Sequence, residues 1–151
     1  MSSDIKQIKQ LAYRLRSMIE AIPQQDLPAG MRGFPKGACG DSAILLGACF
    51  SSCAIEGFVF IQGRRGSRAN GTWAKHAWLA REDLVVDITA DQFPDAPAPV
   101  IVADHSPWHQ TFRTERLTDP GAPRILWNTF GVDELYRLYH RLRPEIFATG
   151  A

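Results

Sequence analysis

The chain has 151 residues, 45% of them apolar and 22% charged, with a formal net charge of +1. That length suits one domain, 1–151, around one core. The composition argues against disorder, and the near-neutral balance gives no footing for nucleic acid or an anionic membrane. No apolar run approaches the length needed to span a bilayer. The charged start, MSSDIKQIKQLAYRLRS, has no apolar h-region and is not read as a secretory signal. Three cysteines cannot all pair within the chain, and their spacing lacks a zinc-ribbon pattern. Free thiols in a reducing cytoplasm are the simplest expectation.

Ile5, Ile8, Leu11, Ala12, Leu15, Met18, Ile19 and Ile22 recur at helical spacing. They predict an amphipathic helix from Ser3 or Asp4 to Ala21, ended by Pro23. PQQDLPAGMRGFPKG follows as a long Gly- and Pro-rich connection. A second helix is expected from near Cys39 to about Cys49. Ala43, Ile44, Leu46, Gly47, Ala48 and Phe50 make it apolar on most sides, hence central and buried.

After Cys53 the pattern becomes strand-like. GFVFIQG (Gly57 to Gly63) is a short apolar run between glycines. RRGSRANGTWAK reads as a polar, basic loop. HAWLA (His76 to Ala80) and LVVDIT (Leu84 to Thr89) read as two strands around Arg81-Glu82-Asp83. FPDAPAPV breaks regular structure with three prolines, and VIVAD fits one more short strand. VDELYRLYHRLRP is a closing amphipathic helix, expected to end before Pro144. The order predicts an α+β domain whose antiparallel sheet packs on the cysteine-bearing helix.

A nucleophilic cysteine needs a lowered thiol pKa, a base to hold its proton and a group to orient that base. Cys39 enters the second helix, where unpaired N–H groups and the macrodipole favour a thiolate. Gly37 and Gly40 allow close backbone approach on either side. His76 begins one strand and Asp87 lies near the end of the next. A two-residue loop, Arg81-Glu82, pairs Ala80 with Asp83; a four-residue loop pairs Leu79 with Leu84. Either register sets His76 directly opposite Asp87, with Cβ atoms roughly 4.5–5.5 Å apart. A carboxylate there holds a ring nitrogen and fixes the tautomer.

Against this stand plainer readings. Cys49 and Cys53 read as small buried hydrophobes, and a strand histidine is more often structural than basic. An Asp within VVDIT is harder to dismiss, because an unpaired carboxylate in a half-buried strand is costly. Cys39, His76 and Asp87 also make three zinc-ligand types, but a helix-entry thiol facing a His–Asp hairpin fits a triad better. His105 and His109, four apart, could share a helix face as metal ligands, but Pro107 argues against a regular helix there. No metal or other cofactor is expected. Arg64, Arg65 and Arg68 read as a solvated loop that would select a carboxylate if it folded over Cys39. Trp78 reads as core or cleft wall. Gln92, five residues past Asp87, is a candidate second oxyanion donor or substrate contact.

The ordered set GACGDSAILLG, GFVFIQG, HAWLA and DLVVDIT resembles the transglutaminase-like branch of the papain-like cysteine enzymes. The likeness lies in a Gly-x-Cys entering a helix, His-x-Trp on a strand, and a hydrophobic run into Asp-x-Thr on the next. It covers about residues 34–93. FPKGACGDS, HAWLA and VVDITADQF together also resemble a group of small bacterial members of that superfamily. The resemblance implies a papain-like α+β fold with Cys39 as nucleophile, His76 as base and Asp87 as orienting acid. It further implies an acyl-enzyme route on a peptide, protein or peptidoglycan-like amide. Hydrolysis, acyl transfer to an amine as in transglutaminases or arylamine N-acetyltransferases, and a non-catalytic binding module on the same fold all stay open. Papain-like proteases carry an oxyanion-hole glutamine shortly before the cysteine. The matching offset here is Gly33, so the Cys39 backbone N–H is the default donor.

Overall fold

The computed structural model describes residues 2–116 and 133–148. Three helices and a five-stranded antiparallel sheet make an α+β architecture among these residues. Helix α1 runs Ser2–Glu20 and buries Ile8, Leu11, Ala12, Leu15 and Ile19, the apolar stripe of its sequence. Helix α2 runs Cys39–Ser52, three residues beyond the expected end. It is buried without a break from Ser42 to Phe50.

Helix α3 runs Asp133–Ala148 and passes through Pro144 rather than stopping before it. Val132, the expected first residue of this segment, lies outside the described residues. A proline inside a helix forfeits a backbone hydrogen bond. Tertiary contacts hold the last turn: Leu138, Leu142 and Ile146 are buried in one row, and Arg14 donates to the Ile146 carbonyl at 2.8 Å.

The strands are β1 (Val59–Arg65), β2 (Ala74–Arg81), β3 (Leu84–Asp87), β4 (Ile101–Asp104) and β5 (Arg113–Arg116). Their order is β4-β3-β2-β1-β5. Arg64 and Arg65, expected in a loop, complete β1 instead. Arg65 is fixed by two hydrogen bonds to Asp95, at 2.9 and 2.6 Å, and its guanidinium lies 4.5 Å from the Phe112 ring centroid. Arg68 alone stays in the connection, stacked on Trp73.

Alternation along the strands separates two cores. Ala77, Leu79, Leu84 and Val86 face the helices. Trp78, Val85 and Ile101 face the other way, into a second cluster with Ala90, Trp108 and Phe112. Gly63 serves this second face. A Cβ there would sit 2.5 Å from the Trp78 ring, so only glycine lets the indole lie across β1.

The β2–β3 register differs from the expected one by two residues. Leu79 pairs with Val86, Ala80 with Val85 and Arg81 with Leu84, and the turn is Glu82-Asp83. Arg81 is not spent on the turn because it is anchored as a strand residue. It donates to Asp4 at 2.8 Å and to the Glu56 carbonyl at 3.2 Å. Extending the ladder places Asp87 across from Trp78, so His76 is its diagonal neighbour, not its direct partner. A two-residue shift keeps every side chain on its expected face, and diagonal neighbours are still within reach of long side chains.

Candidate active site

Successive turns bring the chain to Cys39. The Lys36 N–H donates to the Gly33 carbonyl and the Ala38 N–H to the Pro35 carbonyl, with Gly37 at φ 71°. Ala38, the residue before the helix, supplies no side-chain cap. The first-turn N–H groups, which lack intrahelical partners, are therefore left for another acceptor.

His76 and Asp87 lie on the sheet face away from α2, among the second cluster. The His76 ring is within 5.1–6.3 Å, centroid to centroid, of Trp78, Phe93, Trp108, His109 and Phe112. The two faces meet where β3 ends at Asp87. Beyond that point the Cys39 thiol comes close to the Ala77 N–H, His76 and Gln92, all of which act to lower its pKa.

His76 Nε2 lies 2.6 Å from Asp87 Oδ2, and Nδ1 lies 3.0 Å from the Gln92 NH2 group, from which it accepts while the ring is neutral and which it gives up when the ring is protonated. The same Gln92 NH2 group reaches the Thr89 carbonyl at 3.3 Å, as a donor should. Asp87 accepts a further bond on its other oxygen, from the Thr89 N–H at 2.9 Å. His76 is 1% and Asp87 2% exposed, so these bonds form with almost no water present.

The electrostatics follow from this packing. Burial opposes charge on all three groups. It is outweighed at Asp87 by hydrogen bonds from His109 and His76, which hold the carboxyl below its usual range. For His76, burial is outweighed by hydrogen bonds to Asp87 and Cys39, and the ring is pushed up to about 9. For Cys39, burial is outweighed by the hydrogen bond and charge of His76, then by Gln92 and the Ala77 N–H, and the thiol is lowered. Lowered thiol and raised imidazole favour a thiolate–imidazolium pair. The other cysteines go the opposite way. Burial pushes Cys49 up to about 12 and raises Cys53.

Cys39, His76, Asp87 and Gln92 are thus brought together. Trp78 is 3% exposed and packs behind His76, over Gly63, as a wall. His105 and His109 do not share a site. His105 is exposed near Asp83, whereas His109 is 3% exposed with its Nε2 2.7 Å from Asp87 Oδ2. His76, Asp87 and His109 bring three metal-ligand side chains close together. Their N···O separations of 2.6 and 2.7 Å are those of hydrogen bonds; two ligands of a tetrahedral zinc ion lie about 3.3 Å apart.

Two contributors are not apparent from motif spacing. One is His109, whose flanking Trp108 and Phe112 hint at burial. The other is Arg16, on the edge of the α1 stripe. It donates to the Ile88 carbonyl at 2.9 Å and to both Asp91 oxygens at 2.7 and 2.8 Å. These bonds fasten the turn that carries Gln92. No family model matches this chain, and neither does any curated protein or solved structure.

Proposed function

We propose that the chain is a thiol-dependent enzyme acting on amides through an acyl-enzyme, with a papain-like, transglutaminase-like arrangement of Cys39, His76 and Asp87. The observation that carries this reading is a thiol, Cys39, that opens helix α2 beside His76, whose Nε2 is hydrogen-bonded at 2.6 Å to the buried Asp87. A thiol that only fills space needs neither a helix N-terminus nor a buried imidazole held by a carboxylate.

The Cys39 thiolate attacks the amide carbonyl carbon, and the C=O π electrons move to oxygen. The helix-entry N–H of Cys39 meets the developing oxyanion. Gln92, whose NH2 group lies 3.0 Å from His76 Nδ1, is the candidate second donor. As the tetrahedral intermediate collapses, the C–N bond breaks and His76 Nδ1–H gives its proton to the leaving amine. A thioester remains. An incoming water gives a proton to His76 and attacks, the C–S bond breaks, and a carboxylic acid leaves. An amine acceptor in place of water makes the same enzyme an acyltransferase. Asp87 keeps the ring in the tautomer that presents Nδ1. Substrates of this chemistry are peptides, glutamine side chains, isopeptides or peptidoglycan stem peptides.

The test is to treat the folded protein with electrophilic amide-type probes at pH 7 and map the adduct by mass spectrometry. Labelling is expected at Cys39, absent in Cys39→Ala, and slight at Cys49 and Cys53. Equal labelling of all three thiols, or amide turnover retained in Cys39→Ala, would sink the mechanism.

A further inference from the structure

We propose that His109 is a positioning residue of this site: it donates to the carboxylate oxygen that also holds His76, fixing Asp87 and limiting how strongly Asp87 stabilises the His76 imidazolium. The inference rests on the thiol-enzyme reading above and adds a residue to it.

Asp87 Oδ2 is shared. His76 Nε2 approaches it at 2.6 Å and His109 Nε2 at 2.7 Å, with the two rings inclined by only 21°. Oδ1 is taken by the Thr89 N–H. Both oxygens are therefore engaged, and the carboxylate is held against rotation. His109 is held at both ring nitrogens: Nε2 carries hydrogen to meet the carboxylate, and Nδ1 lies 2.7 Å from Ser106 Oγ. Ser106 is itself buried. The turn carrying the ring is pinned by the Gln110 N–H on the Ser106 carbonyl at 3.2 Å and by Thr111 Oγ1 on the Trp108 carbonyl at 2.7 Å.

A histidine that merely filled the core would need some acceptor. This one uses the oxygen that holds His76. Two N–H donors on one oxygen divide its charge, so each is held less firmly than it would be alone. An imidazolium less strongly stabilised at Nε2 is a better acid at Nδ1, the nitrogen that gives its proton to the leaving amine. The ionisable groups facing the His76 ring are Cys39 from α2, Asp87 from β3 and His109 from the turn before β5. Gln92 adds a neutral amide. Arg65 lies over the Phe93, Trp108 and Phe112 rings, which also surround His76.

The experiment compares wild type, His109→Phe and His109→Gln. The His76 titration is followed by NMR of the ring-labelled full chain, and Cys39 alkylation is followed by mass spectrometry. Removing the second donor is expected to raise the His76 midpoint by at least about half a pH unit. His109→Gln, which restores an N–H donor, is expected to bring it back. Loosened packing alone would instead drop His76 toward 6.5. A downward shift, no shift, or bound zinc that is lost in His109→Phe overturns the inference. If His109→Phe does not fold, Ser106→Ala carries the test. It frees the ring to turn, and a smaller upward shift is expected; none would overturn the proposal. A wild-type His76 that titrates normally beside an ordinary Cys39 thiol would instead defeat the thiol-enzyme reading, and this inference with it.

Discussion

Asp87→Asn is the most informative single change. The side chain keeps its shape but loses its charge, inside a site with almost no water. Burial lowers the His76 pKa, and the hydrogen bond that His76 donates to Asp87 is the largest influence raising it, to about 9 from an ordinary 6.5. That rise corresponds to roughly 3 kcal/mol in favour of the imidazolium. With a neutral amide at position 87, the largest raising influence is gone and His76 falls well below its wild-type value. Cys39 then loses the cation that lowers its pKa, and burial pushes the thiol up. At pH 7 the thiolate–imidazolium pair should become rarer by about two orders of magnitude. The assay is the rate of iodoacetamide alkylation at Cys39 across pH 4–10, with circular dichroism melting as the control for folding. Wild type should be reactive from mildly acid pH upward, and Asp87→Asn only in the alkaline range. A folded Asp87→Asn protein that alkylates within threefold of wild type at pH 7 would refute the coupling.

Turnover of an amide substrate should follow a bell-shaped pH profile. Below the lowered Cys39 pKa the thiolate is protonated and the rate falls. Above about 9, His76 has lost the proton it must deliver, so the rate falls again; an alkaline limb near 6.5 would contradict the raised imidazole. Gly63→Ala should destabilise the fold by about 1–3 kcal/mol in urea denaturation, because its Cβ meets the Trp78 ring at 2.5 and 2.8 Å and Phe112 Cβ at 2.9 Å. A change below about 0.5 kcal/mol would mean the second cluster is loosely packed.

Periodicity in the sequence was enough to find α1, α2, the hairpin and the face on which each strand residue lies. Parity explains the last point. His76 and Asp87 share a face in any register displaced by an even number, so the pair is legible even though the turn is Glu82-Asp83. What the sequence hides depends on distant contacts. β5, Arg113–Arg116, is fully exposed and has no apolar alternation; only its pairing with β1 defines it. The continuation of α3 through Pro144 depends on Ile146 reaching the core and on Arg14 from α1. Arg65 reads as a solvated cation until Asp95, thirty residues on, meets it. His109 is separated from Asp87 by twenty-two residues rich in proline and alanine, and no spacing rule connects them.

Cys39 and His76 belong to different packing layers. Cys39 comes from the helix-side core, and His76 and Asp87 from the aromatic cluster beyond the sheet. Neither layer alone produces an unusual thiol. The reactivity of Cys39 is therefore a gauge of whether α2 is seated against β2. In mild denaturant, a partly loosened molecule that keeps its helices but unseats α2 should already show an ordinary thiol, while its far-ultraviolet dichroism is unchanged. A single alkylation rate would then separate loss of docking from loss of secondary structure.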